Sequence, residues 1–212
     1  MRINKYLALK KISTRRGADE LVKNKKVFIN GKLAVLGSKV NEKDKVEVRG
    51  AKPKEYLYFA YNKPIGVETT SPKEGLFPLG RLDKASHGLI ILTNDGRITD
   101  TLLNPEYAHE KEYLVKTKEK LRSNFKQKME AGVNIEGYLT KKCKVKILNE
   151  HAFRVILTEG KKHQIRRMCS NLFQEVADLL RERIMNIKLG NLGSGGLREI
   201  KGEELTLFLK SL

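Results

Sequence analysis

The stretch Gly80-Arg81-Leu82-Asp83-Lys84-Ala85-Ser86-His87-Gly88 holds the residues best placed to do chemistry. Its acidic side chain sits in a glycine-bounded loop, and Leu89-Ile90-Ile91-Leu92 follows at once as an apolar run that reads as a buried strand. Asn94-Asp95-Gly96 then marks a turn. A carboxylate at the mouth of a rigid strand, with Arg81 two residues before it, can be catalytic. It can equally cap its own turn, the commoner fate of an Asp between glycines. No other constellation competes. His87, His109, His151 and His163 show no metal-ligand spacing, and Cys143 and Cys169 are too few for a disulfide framework and wrongly spaced for zinc. Gly160-Lys161 lacks the second glycine and the Ser or Thr of a phosphate loop. No metal or redox cofactor is called for.

Periodicity supplies the elements that must hold this loop. Leu57-Tyr58-Phe59-Ala60-Tyr61 reads as a strand stopped by Asn62-Lys63-Pro64. Ile98, Leu102 and Leu103 suggest a helix ending before Pro105. Residues 110–117 alternate as a strand with Lys111, Tyr113 and Val115 on one face. Leu121, Phe125 and Met129 form the apolar stripe of a helix closed by Gly132. Lys142-Cys143-Lys144-Val145-Lys146-Ile147 turns at Asn149-Glu150 and returns through Phe153, Val155 and Leu157, a hairpin whose basic face reads as solvated. Ile165, Met168, Cys169 and Leu172 make the core face of a further helix. Arg166 and Arg167 open it where the dipole disfavours cations, which suits an anionic partner. A strand around residues 184–189, a loop at Gly193-Ser194-Gly195-Gly196 and a helix stacking Leu205, Phe208, Leu209 and Leu212 complete the chain.

Charge points to the partner. The 212 residues carry a net charge of +18, and residues 1–50 hold 14 Lys and Arg against 5 Asp and Glu, half of that excess. Such asymmetry fits a polyanion, because each phosphate neutralised releases counterions. No stretch of about 18 apolar residues exists to span a membrane, no signal peptide opens the chain, and two cysteines suit a reducing cytoplasm. The basic N-terminal part is punctuated: a short helix from Ile3 through Leu7 ending at Lys10-Lys11, then Ser13 as N-cap of a second helix burying Ala18, Leu21 and Val22. Next come a hairpin at Val27-Phe28-Ile29-Asn30-Gly31-Lys32-Leu33-Ala34 and a closing strand at Asp44-Lys45-Val46-Glu47-Val48.

Gly80-Arg81-Leu82-Asp83, Lys63-Pro64-Ile65-Gly66, Glu112-Tyr113 and Gln164-Ile165-Arg166-Arg167-Met168, in this order, resemble the motifs of the RsuA-type ribosomal RNA pseudouridine synthases. Asn4-Lys5-Tyr6-Leu7, Ser13-Thr14-Arg15-Arg16-Gly17-Ala18-Asp19 and Val27-Phe28-Ile29-Asn30-Gly31 resemble the S4-type RNA-binding domain that such enzymes carry at the N-terminus. Residues 109–115 and 140–146 are most similar to the family's F branch, which acts on large-subunit (23S) ribosomal RNA.

The resemblance implies an α+β chain: a small α/β S4-like head over residues 1–50, a linker at 51–56, and a catalytic domain over 57–212. That domain would be built on a mixed, mainly antiparallel sheet with flanking helices. It implies isomerisation of uridine, with Asp83 as catalytic carboxylate, Tyr113 packed on the uracil, and Arg166 as the cation that keeps the carboxylate ionised through a two-point fork. Arg81 would fill the gap left by a flipped nucleotide. Arg15, Arg16, Lys23, Lys25, Lys26, Lys63 and Arg167 would contact RNA. The implied partner is RNA, ribosomal first and transfer RNA second, with no membrane and a monomeric chain. A non-catalytic ribosome-binding protein would not need Asp83, Tyr113 and Arg166 together, and a glycosidase would want a second carboxylate about 5–9.5 Å away.

Overall fold

A computed structural model describes residues 1–10, 12–50 and 55–212. Lys11, where the first helix was expected to end, and residues 51–54 of the expected linker lie outside the described residues. The chain forms two compact units, Met1–Tyr56 with Asn94–Asp100, and Leu57–Thr93 with Thr101–Leu212.

In the first unit, α1 (Ile3–Leu9) and α2 (Arg15–Lys23) accompany an antiparallel sheet of β1 (Val27–Ile29), β2 (Lys32–Leu33) and β3 (Val46–Val48) in the order β2-β1-β3. Asn30 and Gly31 have φ of 51° and 76°, the left-handed pair that a two-residue hairpin turn needs to match strand twist. The cap of α2 is Thr14, not Ser13. The helix begins at Arg15, and Thr14 Oγ1 accepts the otherwise unpaired N–H of Gly17 at 2.9 Å. Asn4 Nδ2 donates to Asp19 (3.0 Å) and ties the two helices over a core of Ile3, Leu7, Ala18, Val22 and Val27.

Beyond these elements the chain runs β4 (Tyr58–Lys63), β5 (Phe77–Leu79), β6 (His87–Thr93), α3 (Thr99–Leu103), β7 (Lys111–Thr117), α4 (Phe125–Ala131), β8 (Asn134–Ile135) and β9 (Tyr138–Leu139). It continues through β10 (Lys144–Asn149), β11 (Ala152–Leu157), α5 (Gln164–Asn171), β12 (Val176–Ile184), β13 (Ile187–Lys188), β14 (Leu197–Glu199) and α6 (Gly202–Lys210). The main sheet has the order β10-β11-β7-β12-β6-β4-β14, with β13 beside β12 and β5 beside β6. Its pairings are antiparallel except β6 with β12. The sheet is mixed and mainly antiparallel, as expected.

Three readings of the sequence are corrected. The strand expected around residues 184–189 is a hairpin: β12 ends at Ile184, Met185 turns at φ 52°, and β13 returns. Strand β4 does not stop at Asn62 but continues to Lys63, because Asn62 finds partners inside the structure. Its N–H donates to Gly196 O, its carbonyl accepts Gly195 N–H, and its Nδ2 donates to Leu192 O at 2.7 Å. In α6, Phe208 is fully buried whereas Leu209 stays exposed.

The parallel step between β6 and β12 is unusually close. Gly88 has φ 103°, and a Cβ there would lie 2.5 Å from Arg181 O and 2.8 Å from Arg181 N. Both contacts are backbone, so neither can swing aside. Across the same step His87 Nε2 lies 2.8 Å from Asp178 Oδ1. Gly88→Ala must open the sheet next to the Asp83 loop and occupy a conformation that L residues avoid. We expect it to destabilise the protein by about 2–4 kcal/mol, read as a lower urea midpoint; a loss under about 1 kcal/mol would show that the two strands can separate without strain.

Candidate active site

Asp83 is held by its own backbone and by the segment that crosses it. Thr69 Oγ1 donates to Leu82 O (2.8 Å) and accepts Leu82 N–H (3.0 Å). Ser86 N–H donates to Asp83 O, and Gly66 N–H to Lys84 O. The loop leaves Gly80 at φ 79° and enters the wholly buried residues Leu89 to Leu92 of β6. Four hydrogen bonds over five residues fix the direction of one carboxylate.

Arg166, in the first turn of α5, faces that carboxylate. Its Nε lies 3.5 Å from Asp83 Oδ2, while Nη1 donates to Val176 O (3.2 Å) and Nη2 to Ala85 O and Ser86 Oγ (3.1 Å each). The expected two-point fork is therefore not formed: the guanidinium uses both Nη groups on the loop and on β12, and only Nε turns to Asp83. Asp83 Oδ1 is buried and has no hydrogen-bond partner among the described residues. A buried acceptor left unpaired costs about 1–3 kcal/mol, so it marks a place where structure gives way to another demand.

Oδ1 belongs to a residue lining a cleft of about 600 Å³. Tyr113, brought from β7, is 8% exposed and forms an apolar wall with Leu82, Leu157, Ile165 and Leu179. Arg81 is exposed and also lines the cleft, with Lys161 and Lys162. Asp83, Tyr113 and Arg81 line one cavity, and Arg166, 85 positions from Arg81, adjoins it through Asp83 and Ser86.

Other expected contacts are placed elsewhere. Lys63 is not on a surface: it is fully buried, and its Nζ donates to Pro64 O (2.8 Å) and Val67 O (2.7 Å). Burial pushes its pKa down, and the nearby Asp83 carboxylate draws it partly back. It braces the segment that crosses the Asp83 loop and does not present its charge to an RNA backbone. Arg167 points away from the cleft, where its Nη2 pairs with Glu136 and Nη1 donates to Lys162 O at 3.3 Å. Arg15, Arg16, Lys23 and Lys25 are exposed on the first unit, whereas Lys26 is half-buried with Nζ on Gly50 O (2.8 Å).

Residues that the sequence reading passed over also build the site. Glu159 is buried in the cleft wall and receives Tyr138 Oη (2.6 Å), Lys141 N–H (3.0 Å) and Gln164 Nε2 (2.7 Å). Gln164 Oε1 in turn accepts Lys161 N–H (2.8 Å), so this network sets the turn into α5 that presents Arg166. Gln164 stood in the quoted motif; Glu159, four residues upstream of His163, had only that adjacency to signal it.

A model of the S4 domain matches residues 1–46, and a model of the RNA pseudouridylate synthase family matches residues 57–171. The first match falls within the first unit and the second largely within the second. "Dual-specificity RNA pseudouridine synthase RluF" of Escherichia coli K12 is 40% identical over 97% of this chain and 77% of its own. "Ribosomal large subunit pseudouridine synthase B" of Bacillus subtilis 168 is 32% identical over 96% of this chain and 93% of its own. A crystal structure of a pseudouridylate synthase superposes over the full length of both chains with a TM-score of 0.73 and 26% identity. The chain belongs to the RNA pseudouridylate synthase family and is a pseudouridine synthase.

One titration concerns the strand that carries Tyr113. Lys111, on the β7 face that carries Tyr113, has its pKa lowered by burial and by the neighbouring Arg181 from 10.5 to about 8. The unfolded chain then holds more protons between pH 8 and 10.5, so stability rises with pH across that window; the cost of burying the charge is fully present below pH 8. Lys111→Met should raise stability near neutral pH and flatten its rise. Urea melts of both proteins at about pH 7 and about pH 10 measure this; an equal gain at both values would contradict it.

Proposed function

We propose that this chain isomerises a specific uridine of large-subunit ribosomal RNA to pseudouridine, with Asp83 as the reacting carboxylate. The observation that carries the reading is the buried Oδ1 of Asp83, without a hydrogen-bond partner among the described residues, in a cleft sized for a nucleoside and walled by Tyr113. The names of the relatives from Escherichia coli and Bacillus subtilis support the RNA substrate, and the second supports the large ribosomal subunit.

The reaction conserves atoms: the N1–C1′ bond breaks, the base turns, a C5–C1′ bond forms, and the proton on C5 is lost as N1 gains one. Asp83 acts on the ribose or the uracil, with Arg166 Nε beside it at 3.5 Å to orient the carboxylate. Tyr113, which lines the cleft, packs on the base and assists removal of the C5 proton. Arg81, exposed at the rim, enters the space vacated by the flipped nucleotide and offsets part of the few kcal/mol of unstacking. Arg15, Arg16, Lys23 and Lys25 hold RNA phosphates. One chain supplies every group named, which supports a monomer, and its free Cys143 and Cys169 suit a cytoplasmic enzyme.

Pseudouridine mapped by carbodiimide-stopped primer extension on large-subunit, small-subunit and transfer RNA transcripts tests the reading. Wild type should leave a single stop in the large-subunit RNA, and Asp83→Asn should slow its appearance at least about 10³-fold, equivalent to roughly 4 kcal/mol of barrier, while still binding that RNA. An active Asp83→Asn protein would remove Asp83 from the chemistry; a stop only in another transcript would reassign the substrate. A second experiment concerns the head. Replacing Arg15 and Arg16 by Ala should weaken binding to all RNA sequences alike and reduce the slope of log K against log salt by about 1.5–2. An unchanged slope would place these arginines off the RNA.

A further inference from the structure

Outside the cleft, one aromatic residue is both strained and exposed. Helix α5 closes with Gln174 N–H donating to Cys169 O and Phe173 N–H to Ser170 O, each at 2.9 Å. This closure puts the intervening residue in the left-handed region and ordinarily takes glycine. Here it takes Phe173, at φ 60° and 68% exposed. The ring pays the conformational cost without recovering it through burial, the combination that accompanies binding sites.

The surroundings of the ring suit a flat ligand. The Arg122 guanidinium carbon lies 4.5 Å from the ring centroid, and the ring walls an open hollow of about 490 Å³. Arg166 walls the same hollow, and its Nε lies 3.5 Å from Asp83 Oδ2. Both Nη groups of Arg166 are already committed, to Val176 O and to Ala85 O and Ser86 Oγ. The rest of the rim is rich in acceptors. Glu119 Oε2 accepts Glu175 N–H at 2.7 Å, which holds this carboxylate below its usual range, and Glu175 pairs with Lys118. Gln174 Oε1 lies buried in the lining without a hydrogen-bond partner among the described residues. Two carboxylates disfavour a phosphate here and favour a ligand that brings N–H donors. An apolar aromatic face beside acceptors is how proteins take unpaired bases.

We infer that this hollow receives an unpaired, amino-bearing base (adenine, cytosine or guanine) of the substrate RNA, adjacent in the strand to the uridine at Asp83, stacked on Phe173 with its amino group toward the acceptor rim. The inference rests on the proposed reading of Asp83 as the reacting group on RNA. It adds a flanking-base requirement to the selection of the uridine.

Phe173→Gly separates binding from folding, because it removes the ring and relieves the left-handed strain together. Its melting temperature should equal or exceed that of wild type. In single-turnover isomerisation of a synthetic stem-loop spanning the mapped uridine, its half-saturating RNA concentration should rise about 5- to 100-fold, the range expected from losing one base–aromatic stack. Phe173→Trp should stay near wild type. Stem-loops abasic at each position flanking the uridine complete the test. Wild type should lose affinity at one position, lose part of it when uracil replaces the base there, and Phe173→Gly should be blind to that position. If the half-saturation of Phe173→Gly is within about twofold of wild type, or if every abasic position affects both proteins alike, the inference fails and the isomerisation reading stands. If wild type leaves no pseudouridine in any RNA, that reading fails first and takes the flanking base with it.

Discussion

The guanidinium of Arg166 joins three segments, two of them ten positions apart and the third some 80 positions upstream. It rises from α5, is gripped by Val176 O at the start of β12, and holds Ala85 O and Ser86 Oγ of the loop that carries Asp83. A flexible cation near a carboxylate would form an ion pair of little net value. This cation cannot leave, because its own donors are anchored before Asp83 is counted. Its remaining Nε faces Asp83 at 3.5 Å in a setting where both side chains are largely withdrawn from water, so its field acts on the carboxylate with less screening than at a surface. The site therefore needs the sheet and the helix to be correctly placed before any electrostatic assistance exists.

That placement depends on a sheet with a local weakness at its centre. Antiparallel strands surround one parallel step, β6 on β12, and Gly88 lets the two backbones approach there. The loop departs from this step, so its geometry inherits the spacing of the two strands. Polar groups within the unit are fastened in turn: Lys63 by two carbonyls, Leu82 by Thr69, Asn62 by the loop at Gly195 and Gly196. Buried polar networks of this kind strengthen one another when complete and are costly when a member is missing.

How much could be read from the amino acids follows the range of the interactions. The Asn30-Gly31 hairpin, the Phe125 and Met129 stripe of α4 and the hairpin of β10 and β11 were legible because each is decided by neighbours within a few residues; Leu121, expected on the same helix, lies before its first turn. Strand β12 was not. Asp178, Arg181, Glu182 and Arg183 interrupt its apolar pattern, and each charge is acceptable only because of a distant partner: His87, Leu89 O, Arg154 and Glu112. Lys63 was misread for the same reason, since a lysine is taken as a surface cation until the carbonyls that receive it are known. Asp83, Tyr113 and Arg166 were legible through the order of their motifs, not through local physics. A lone loop aspartate remained as consistent with a turn as with catalysis, and the one-point contact from Arg166, in place of the fork, required coordinates.

Two carboxylates line the cleft, and residue type does not distinguish them. Glu159 receives donors on both oxygens, from Tyr138 on one and from Lys141 and Gln164 on the other, and so has completed its hydrogen bonding within the protein. Among the described residues, Asp83 has one long contact on Oδ2 and none on Oδ1. A group already satisfied would have to break hydrogen bonds to meet a substrate, whereas an orphaned oxygen gains one. The difference also bears on mechanism. Hydrolysis of a glycosidic bond by the usual pair of carboxyl groups needs both to be free for proton transfer or attack, and Glu159 is occupied in holding the turn into α5. A single available carboxylate, an anchored cation and an aromatic wall suit a reaction in which the base leaves carbon, stays in the cleft and returns. What sets Asp83 apart from Glu159 is the bond that no described residue makes to its Oδ1.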